Sequence, residues 1–429
     1  MAFQQALSGL NAASKAIDVT SNNIANSSTV GYKASTAHFA DIFASSMAGA
    51  GAGADQVGNG VSLSAVQQQF SQGATTATNN PLDISVNGAG FFRMEQNGAV
   101  TYTRNGQFHV DKNGFVINDQ GMNLTGYAVQ TGVIVSSAPS PLKVSAADLA
   151  PVETGTGSSL GFQGVKANVQ LDSRDAVPTT TWSSAVIPPD PDSYNYSTTT
   201  SIYDSLGNAH NLSMFFVKTS TAGQWDTHLT VDGTSDMNVN GGAPGLLTFD
   251  QNGKLVSGSP MPVNINLAAV NTALGVNSNA KSPMGFNLSF ADSTQYGSPS
   301  GINSMEQDGY TAGHLVSLSV GADGMIQGRY SNGQNANQGQ VVLANFTNPN
   351  GLQSLGNNQW SETSISGSAL VGAPGTSNLG VLTSSSIEES NVDLTAELVN
   401  LITQQRNYQA NAQSIKTQDQ IMQTLINIR

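Results

Sequence analysis

The chain has 429 residues, which is enough for two or more domains that each bury a core. Only 10% of the residues are charged. The net charge is −13 and the sequence has no Lys/Arg cluster, so nucleic acid and an anionic membrane are disfavoured as partners. The sequence contains no cysteine, so disulfides, thiolate metal sites and a cysteine nucleophile are excluded.

The N-terminal segment is predicted to form an amphipathic helix. Its apolar and small residues recur in alternating steps of four and three, which is typical of a helix that offers one seam to a partner helix. The seam consists of Phe3, Leu7, Leu10, Ser14, Ile17, Ser21 and Ile24. Asparagines weaken the helix from residue 22 onward, and Gly31 lies beyond its predicted end.

The same N-terminal segment lacks the features of a cleaved signal peptide. It has no basic n-region and no continuous apolar core, so it is not a Sec signal peptide. No stretch of the sequence approaches the roughly 20 apolar residues that span a membrane. We therefore expect no membrane insertion, and export, if it occurs, without cleavage of the N-terminus.

The middle of the chain is predicted to be antiparallel β-structure in at least two domains. Apolar and polar residues alternate over 165–172 and again over 316–320, which is the period of a half-buried strand. Asn-Gly and Asp-Gly pairs favour two-residue hairpin turns. These pairs lie at 97–98, 113–114, 252–253 and 323–324.

Composition suggests where the domains divide. An Ala/Gly stretch at Ala48–Asp55 and a Ser/Pro/Ala stretch at Ser136–Asp148 are predicted boundaries. From Asp148 to Glu306 there are 13 acidic and 5 basic residues, a net charge of −8. This segment is predicted to be a separate acidic domain inserted into the middle β domain.

The C-terminal segment is predicted to form a second long helix. Residues 390–393 are typical of an N-cap with an acidic residue in the first turn. An apolar stripe follows, made of Leu394, Leu398, Leu401, Tyr408, Ile415 and Met422, and it is widened by Ile421, Leu425 and Ile428. Arg429 places a cation at the helix end, where it suits the macrodipole.

Neither terminal helix has a neighbour in sequence that covers its stripe. A lone amphipathic helix of this length is marginal in water. One interpretation pairs the two helices as a small antiparallel stalk, which still exposes apolar surface. The other leaves both ends disordered in the monomer and folds them when subunits stack.

Sequence motifs give no sign of catalysis, and we expect neither a cofactor nor a metal. Residues 157–161 match G-x-S-x-G, but a loop precedes them and a strand follows, whereas a nucleophile elbow joins a strand to a helix. The five histidines show no helical metal spacing. Asp190 and Asp192 flank a proline that breaks a calcium-loop pattern, so a solvated loop is the better interpretation.

Several separated stretches resemble the flagellar rod and hook family. They are residues 22–33, 390–394 and 404–411 at the ends, with 90–92 and 102–108 inside, while 204–210 and 340–346 resemble the hook members specifically. The signature residues carried over are Asn22, Asn23, Ala25, Asn26, Gly31, Tyr32, Lys33, Asn391, Gln405, Arg406 and Tyr408. Because distal-rod members lack the acidic insertion, the resemblance implies a hook subunit.

The resemblance also implies a mainly β, multi-domain fold in radial layers, with the N- and C-terminal α-helices paired as a coiled coil. The helices (1–26 with 390–429) would form the inner tube, and 27–72 with 383–389 a connecting segment. Residues 73–147 with 307–382 would form the middle β domain, and 148–306 the outer acidic β domain.

The function implied is that of a non-enzymatic subunit. Copies would polymerise into a curved tube that transmits motor torque as a universal joint. The partners implied are further copies, the distal rod protein, the hook cap protein, the hook–filament junction protein and the type III export apparatus, in an extracellular hook. A cysteine-based cross-link known in some members is excluded here. The alternatives are a secreted β-rich adhesin or carbohydrate-binding protein, which leaves the heptad ends unexplained, and a hydrolase, which lacks its motif.

Overall fold

The computed structural model describes residues 2–42, 60–130, 132–157, 161–184, 186, 188–234, 244–276 and 278–427. The predicted boundary at Ala48–Asp55 lies outside these residues, as do Ser158, Ile428 and Arg429. The described chain divides into two compact units. Unit 1 comprises residues 1–146, 316–329 and 335–429, and unit 2 comprises 147–315 and 330–334.

Helices lie at the two ends of the chain and once inside unit 2. They are α1 (Ala2–Ala25), α2 (Leu267–Leu274) and α3 (Leu394–Asn427), with short 3-10 turns at Pro191–Ser193 and Pro349–Gly351. The two predicted terminal helices are therefore confirmed. Asp393 is the N-cap of α3, because its Oδ1 accepts hydrogen bonds from the backbone N–H groups of Thr395 and Ala396 at 2.9 and 3.1 Å.

Strands make up most of the rest. The first part of the chain contains β1 (Ser35–Asp41), β2 (Val61–Gln68), β3 (Thr75–Ala77), β4 (Ile84–Asn87), β5 (Phe91–Gln96), β6 (Ala99–Thr103), β7 (His109–Val110), β8 (Val116–Ile117), β9 (Asn123–Gln130), β10 (Val133–Ile134) and β11 (Ser140–Pro141). Unit 2 contains β12 (Gly164–Asp172), β13 (Tyr196–Tyr203), β14 (Ala209–Lys218), β15 (Gln224–Val231), β16 (Gly245–Phe249), β17 (Leu255–Ser257), β18 (Met261–Ile265), β19 (Met284–Ser289), β20 (Thr294–Tyr296) and β21 (Gly301–Gln307). The last part contains β22 (Leu315–Val320), β23 (Met325–Tyr330), β24 (Asn335–Val341), β25 (Leu343–Asn345), β26 (Gln353–Gly356), β27 (Gln359–Ser361), β28 (Leu370–Gly372), β29 (Val381–Ser384) and β30 (Ser386–Glu388). The prediction of a mainly β chain is confirmed. The prediction that its strands are antiparallel holds for most pairs but is wrong for β12, which pairs in parallel with β19 and β20.

Unit 1 is organised around one large sheet. Its strands run in the order β22-β23-β24-β9-β5-β6-β27-β26, and three smaller two-stranded ribbons pair β1 with β2, β3 with β30 and β4 with β29. Aromatic rings fill its core with edge-to-face contacts. The ring centroids of Phe91 and Trp360 are 5.7 Å apart, and those of Tyr102 and Phe346 are 4.8 Å apart. The family motifs at 90–92, 102–108 and 340–346 therefore meet in one sheet, where β5 pairs with both β6 and β25.

Unit 2 has a core shared by two five-stranded sheets. One sheet has the order β18-β19-β12-β20 with β21 also on β12, and the other is β13-β14-β15-β16-β17. Val165, Ala167, Val169 and Leu171, the predicted apolar face of β12, are all fully buried together with Trp225 of the other sheet. The period-two prediction for this strand is confirmed.

The predicted hairpin turns lie between paired strands. Asn97 and Gly98 both have positive φ, at 51° and 83°, and they join β5 to β6 as a two-residue turn. The turns at 113–114 and 252–253 join β7 to β8 and β16 to β17. The alternation over 316–320 does form β22, but Val316 is 62% exposed because β22 lies at the sheet edge.

The stretch 204–210, which resembles hook members, lies in unit 2 at the turn between β13 and β14. Asp204 Oδ1 accepts hydrogen bonds from the N–H groups of Leu206 and Asn208, which closes the turn between β13 and β14. His210 lies beside two carboxylates, because its Nδ1 is 2.6 Å from Asp232 Oδ2 and its Nε2 is 3.5 Å from Asp204 Oδ2. Residue 232 is distant in sequence, so no local spacing indicates this contact.

Candidate functional site at the junction of the chain ends

The segment that follows α1 and the segment that precedes α3 meet in a buried polar cluster of unit 1. We call this cluster the junction. It is formed by side chains of residues 22–33, 104 and 388–397, together with the backbone of residues 34–35 and 69–73. In the sequence, most of these residues are recognisable only as members of the family signature.

Two cations share one carboxylate at the centre of the junction. Lys33 Nζ lies 2.6 Å from Glu388 Oε1, and Arg104 Nη1 lies 3.0 Å from Glu388 Oε2. The side chains of Lys33 and Glu388 are completely buried, and that of Arg104 is 4% exposed. Burial lowers the pKa of the Lys33 ammonium, an effect that the nearby Glu388 carboxylate opposes and Arg104 reinforces.

Backbone groups complete the coordination of this ion cluster. Lys33 Nζ also donates to the carbonyl of Ser71 at 2.7 Å, and Glu388 Oε1 accepts from the N–H of Gly73 at 3.0 Å. Arg104 Nη2 donates to the carbonyl of Gly88 at 2.7 Å. Since a buried charge is tolerated only when it is paired and hydrogen-bonded, each of these contacts holds a distant stretch of chain in place.

Asn391 ties the two chain ends together through its side-chain amide. Its Oδ1 accepts from the N–H of Ala34 at 2.7 Å, and its Nδ2 donates to the carbonyls of Gln69 and Ser71 at 2.8 and 3.2 Å. The amide thus supplies partners for backbone groups that no strand pairs, which explains a signature asparagine at this position.

Asn23 makes the corresponding link from the end of α1. Its Nδ2 donates to Glu397 Oε1 of α3 at 3.1 Å and to the carbonyl of Ser35 at 2.8 Å. Its Oδ1 accepts from the N–H of Ser35 and from the Tyr32 hydroxyl. Asn22 donates to that same hydroxyl at 3.2 Å. The asparagines that weaken the helix in sequence are therefore junction residues.

Gly31 allows the close approach of two loops at the junction. It has φ +70°, and a Cβ there would lie 2.6 Å from the backbone nitrogen of Asn105. Its N–H donates to the carbonyl of Glu388 at 2.8 Å. Both the backbone conformation and the space therefore require glycine.

The helices α1 and α3 pack antiparallel beside the junction. Asn23 contacts Glu397 at one end, and Gly9 lies so close to Asn411 at the other that a Cβ would be 2.9 Å from its Oδ1. The residues of α1 buried here are small or polar. They are Ala6, Ala13, Ala16, Thr20 and Asn23. This small-residue stripe, at spacings of three, four and seven, was the signal that sequence reasoning missed.

The predicted apolar seams are only partly covered in the described chain. Phe3 and Leu7 of α1 are 51% and 42% exposed, while Leu10, Ile17 and Ile24 are half-buried. On α3, the exposed seam residues are Leu394, Leu398, Tyr408 and Met422, and the half-buried ones are Leu401 and Ile415. Gln405 and Arg406 are exposed on the same helix, and Ala25 and Asn26 lie at the end of α1.

Within the described residues, no group of three or more His, Asp or Glu side chains is arranged to hold a metal ion. The helices of the described chain are too short or too polar to cross a lipid bilayer. Asp190 caps the short turn that follows it by accepting the N–H of Asp192 at 3.0 Å.

Four family models match the chain, and together they cover most of it. They are the flagella basal body rod protein (residues 3–33), the flagellar hook protein FlgE/F/G D1 domain (85–149), the flagellar basal body protein FlaE D2 domain (170–310) and the flagellar basal body rod FlgEFG protein C-terminal (383–428). The fold and these matches define a class, the structural proteins of the flagellar rod and hook, and not an enzyme.

Full-length relatives narrow this class. The flagellar hook protein FlgE of Escherichia coli (strain K12) is 45% identical over 433 residues, and that of Salmonella typhimurium is 43% identical over 436, each covering 100% of both chains. The crystal structure of Helicobacter pylori flagellar hook protein FlgE2 has the same fold over 73% of this chain and 99% of its own, with a TM-score of 0.50 at 13% identity. The chain belongs to the flagellar hook protein FlgE family.

Proposed function

We propose that this chain is the structural subunit of a bacterial flagellar hook. Many copies assemble head to tail into a curved tube that acts as a universal joint and transmits torque from the motor to the filament. The proposal rests on the 45% identity of this chain to a flagellar hook protein over its full length. The apolar seam residues that α1 and α3 leave exposed support it. Interfaces of this head-to-tail kind that do not close generate helical polymers.

The exposed seams are the surface we assign to neighbouring copies. Because Leu7 and Leu398 are 42% and 44% exposed, a second helix pair has apolar surface to cover. Coiled-coil packing of the seams then takes place between subunits. On the α1 side, the α1–α3 contact buries small residues, which contribute little apolar area. We therefore expect both helices to be formed but only marginally stable in the monomer, and to gain protection in the polymer.

The layered arrangement follows from this assignment. Residues 1–26 and 390–429 would line the inner tube, 27–72 with 383–389 would connect it outward, 73–147 with 307–382 would form the middle layer, and 148–306 the outermost one. A subunit of this kind is exported without a cleaved signal peptide and resides in the extracellular basal body–hook structure. Its neighbours are further copies, the distal rod, hook cap and hook–filament junction proteins, and the type III export apparatus.

The polymer also needs outer surfaces that slide. Few charges lie on this chain, and neutral polar groups such as Ser, Thr, Asn and Gln fill much of its surface. Contacts between such groups are weak and easily exchanged for others. Subunits on the inside and the outside of a bend therefore shift relative to one another while the helical tube keeps its twist.

A polymerisation assay on seam variants tests the proposal. In the double variant Leu7→Ser/Leu398→Ser, we expect the monomer to keep its β-structure by circular dichroism while the critical concentration for polymerisation rises at least tenfold. The control Asn11→Ser/Gln413→Ser changes two exposed polar residues of the same helices and is expected to polymerise normally. Normal assembly of the leucine variant would assign the seams to another role.

A further inference from the structure

The buried ion cluster of the junction has two cations and a single carboxylate, and its members come from three distant parts of the chain. Lys33 follows α1, Arg104 directly follows β6, and Glu388 ends β30, 355 residues after Lys33. Glu388 binds both cations at 2.6 and 3.0 Å. In addition, its carboxylate accepts the N–H of Gly73, and its carbonyl accepts the N–H of Gly31.

Without Glu388, the same place would hold two like charges and no counter-charge. Lys33 and Arg104 are near enough that the arginine disfavours the charged form of the lysine. Both side chains are excluded from water in the closed junction, where removal of one partner leaves an uncompensated buried charge and is strongly destabilising. The closed conformation of the stretches 31–35 and 69–73 therefore depends on Glu388, which is synthesised after Lys33 and Arg104.

We propose that Glu388 is a completion latch, which holds the stretches 31–35 and 69–73 closed only after the C-terminal part of the chain has joined them. This inference rests on the proposed function, because it makes α1 competent for assembly only in a complete and folded subunit. Synthesis delivers the N-terminal part of a chain first. α3 begins at Leu394, six positions after Glu388, so the latch closes where the second assembly helix starts.

The latch acts through charge, and variants separate charge from shape. Glu388→Gln keeps the size and most of the hydrogen-bonding ability of the side chain but removes the anion. The triple variant Lys33→Met/Arg104→Met/Glu388→Met replaces all three charged groups by apolar ones of similar volume. Glu389→Gln is the matched control, because Glu389 is the adjacent carboxylate and is solvent-exposed, with one hydrogen bond from Thr76 Oγ1.

Hydrogen–deuterium exchange on the full-length monomer is the decisive measurement. We expect Glu388→Gln to speed exchange of 31–35 and 69–73 at least tenfold, with β14 of unit 2 unchanged as an internal check on folding. We expect Glu389→Gln to resemble the wild-type chain. The triple variant should exchange more slowly than Glu388→Gln but faster than the wild-type chain, because it leaves no unpaired charge but removes the side-chain partners of Gly73 and Gly88. Mixing each monomer with polymer seeds then shows growth for all but Glu388→Gln.

Two results would overturn the latch. The first is wild-type protection of 31–35 and 69–73 in Glu388→Gln, and the second is rapid exchange of these stretches in the wild-type monomer itself. If the triple variant exchanges as fast as Glu388→Gln, the charge basis of the latch is wrong. A further outcome separates the latch from the proposed function. If 31–35 and 69–73 are protected in the wild-type monomer and opened by Glu388→Gln, but the wild-type chain does not polymerise, the proposed function is contradicted and the latch is not.

Discussion

Individual residues of the junction replace the regular hydrogen bonding that its backbone lacks. Asn391 is the clearest case, because one amide group binds the N–H of Ala34 and the carbonyls of Gln69 and Ser71. Ala34 is 8% exposed, so its N–H has little access to water once this partner is lost. An asparagine in such a position contributes through the cost of the unpaired groups it would leave behind.

We therefore predict that Asn391→Ala lowers the local opening free energy of residues 31–35 and 69–73 by about 2 kcal/mol. Native-state hydrogen exchange on the monomer measures this quantity. Gln413→Ala, which removes an exposed amide of α3, serves as the control and is expected to change it by less than about 0.5 kcal/mol. Equal protection in the two variants would refute the bridging role of Asn391.

A second residue-scale property is the ionisation of Tyr102 in the aromatic core. Burial raises the pKa of its phenol to about 12, and the Glu362 carboxylate reinforces the shift. The folded state then holds the proton more tightly than the unfolded state, whose phenol titrates near 10. Its stabilising contribution is present below pH 10 and is lost as the pH rises through 12.

Tyr102→Phe removes this titration. We predict that the free energy of unfolding of the variant minus that of the wild-type chain is larger at pH 11.5 than at pH 9, because only the wild-type chain loses stability as Tyr102 ionises. Unfolding in urea at the two pH values, followed by circular dichroism, gives the difference. A wild-type-minus-variant difference that is independent of pH would contradict the assigned ionisation.

At the scale of elements, α1 and α3 use different faces for different contacts. The residues of α1 that are buried are small or polar, whereas Leu7 of its apolar seam is 42% exposed. On α3, the seam residues alternate between exposed and half-buried, with Leu394 at 45% exposed and Ile415 half-buried.

This division of faces predicts the effect of a charge in the small-residue stripe. Ala13 is 5% exposed against α3, so Ala13→Asp would bury an unpaired carboxylate and separate the helices. We expect loss of helical circular dichroism in the monomer and faster exchange of α1 by roughly tenfold or more. Asn11→Asp, on the exposed side of the same helix, is the control, and an unchanged helix signal in Ala13→Asp would place the helix contact elsewhere.

At the scale of the whole molecule, the large buried cluster of unit 2 is made of residues from that unit. The buried cluster runs from Val165 to Phe290 and joins both five-stranded sheets with α2. Trp225 is completely buried at its centre. A cluster of this size and closure meets the requirements for independent folding.

We accordingly predict that residues 147–315 fold when expressed alone. The fragment should unfold cooperatively in urea and show blue-shifted emission from Trp225. Trp225→Ala, which opens a large cavity, is expected to cost about 3–5 kcal/mol and to broaden or abolish the transition. A fragment that unfolds without cooperativity would mean that unit 2 depends on the rest of the chain.

The sequence by itself determined the elements, because their signals are local. The period of Val165–Leu171, the Asn97-Gly98 turn and the heptads at both ends each specify a strand, a hairpin or a helix through neighbours a few positions away. The class of protein was also readable, since its signature lies in short stretches at the two ends. In each case, the physical information is contained within one turn or one strand.

Only the tertiary structure decided which residues meet. The Lys33–Glu388 pair spans 355 positions, and His210 contacts Asp232 across a hairpin, so neither pairing leaves a spacing to recognise. The choice of small residues for the α1–α3 contact was equally hidden. A seam and a stripe of alanines both have helical periodicity, and which of them faces a partner depends on how closely the backbones approach. That distance is set by the junction, where long-range charge pairing and hydrogen bonds hold the two chain ends together.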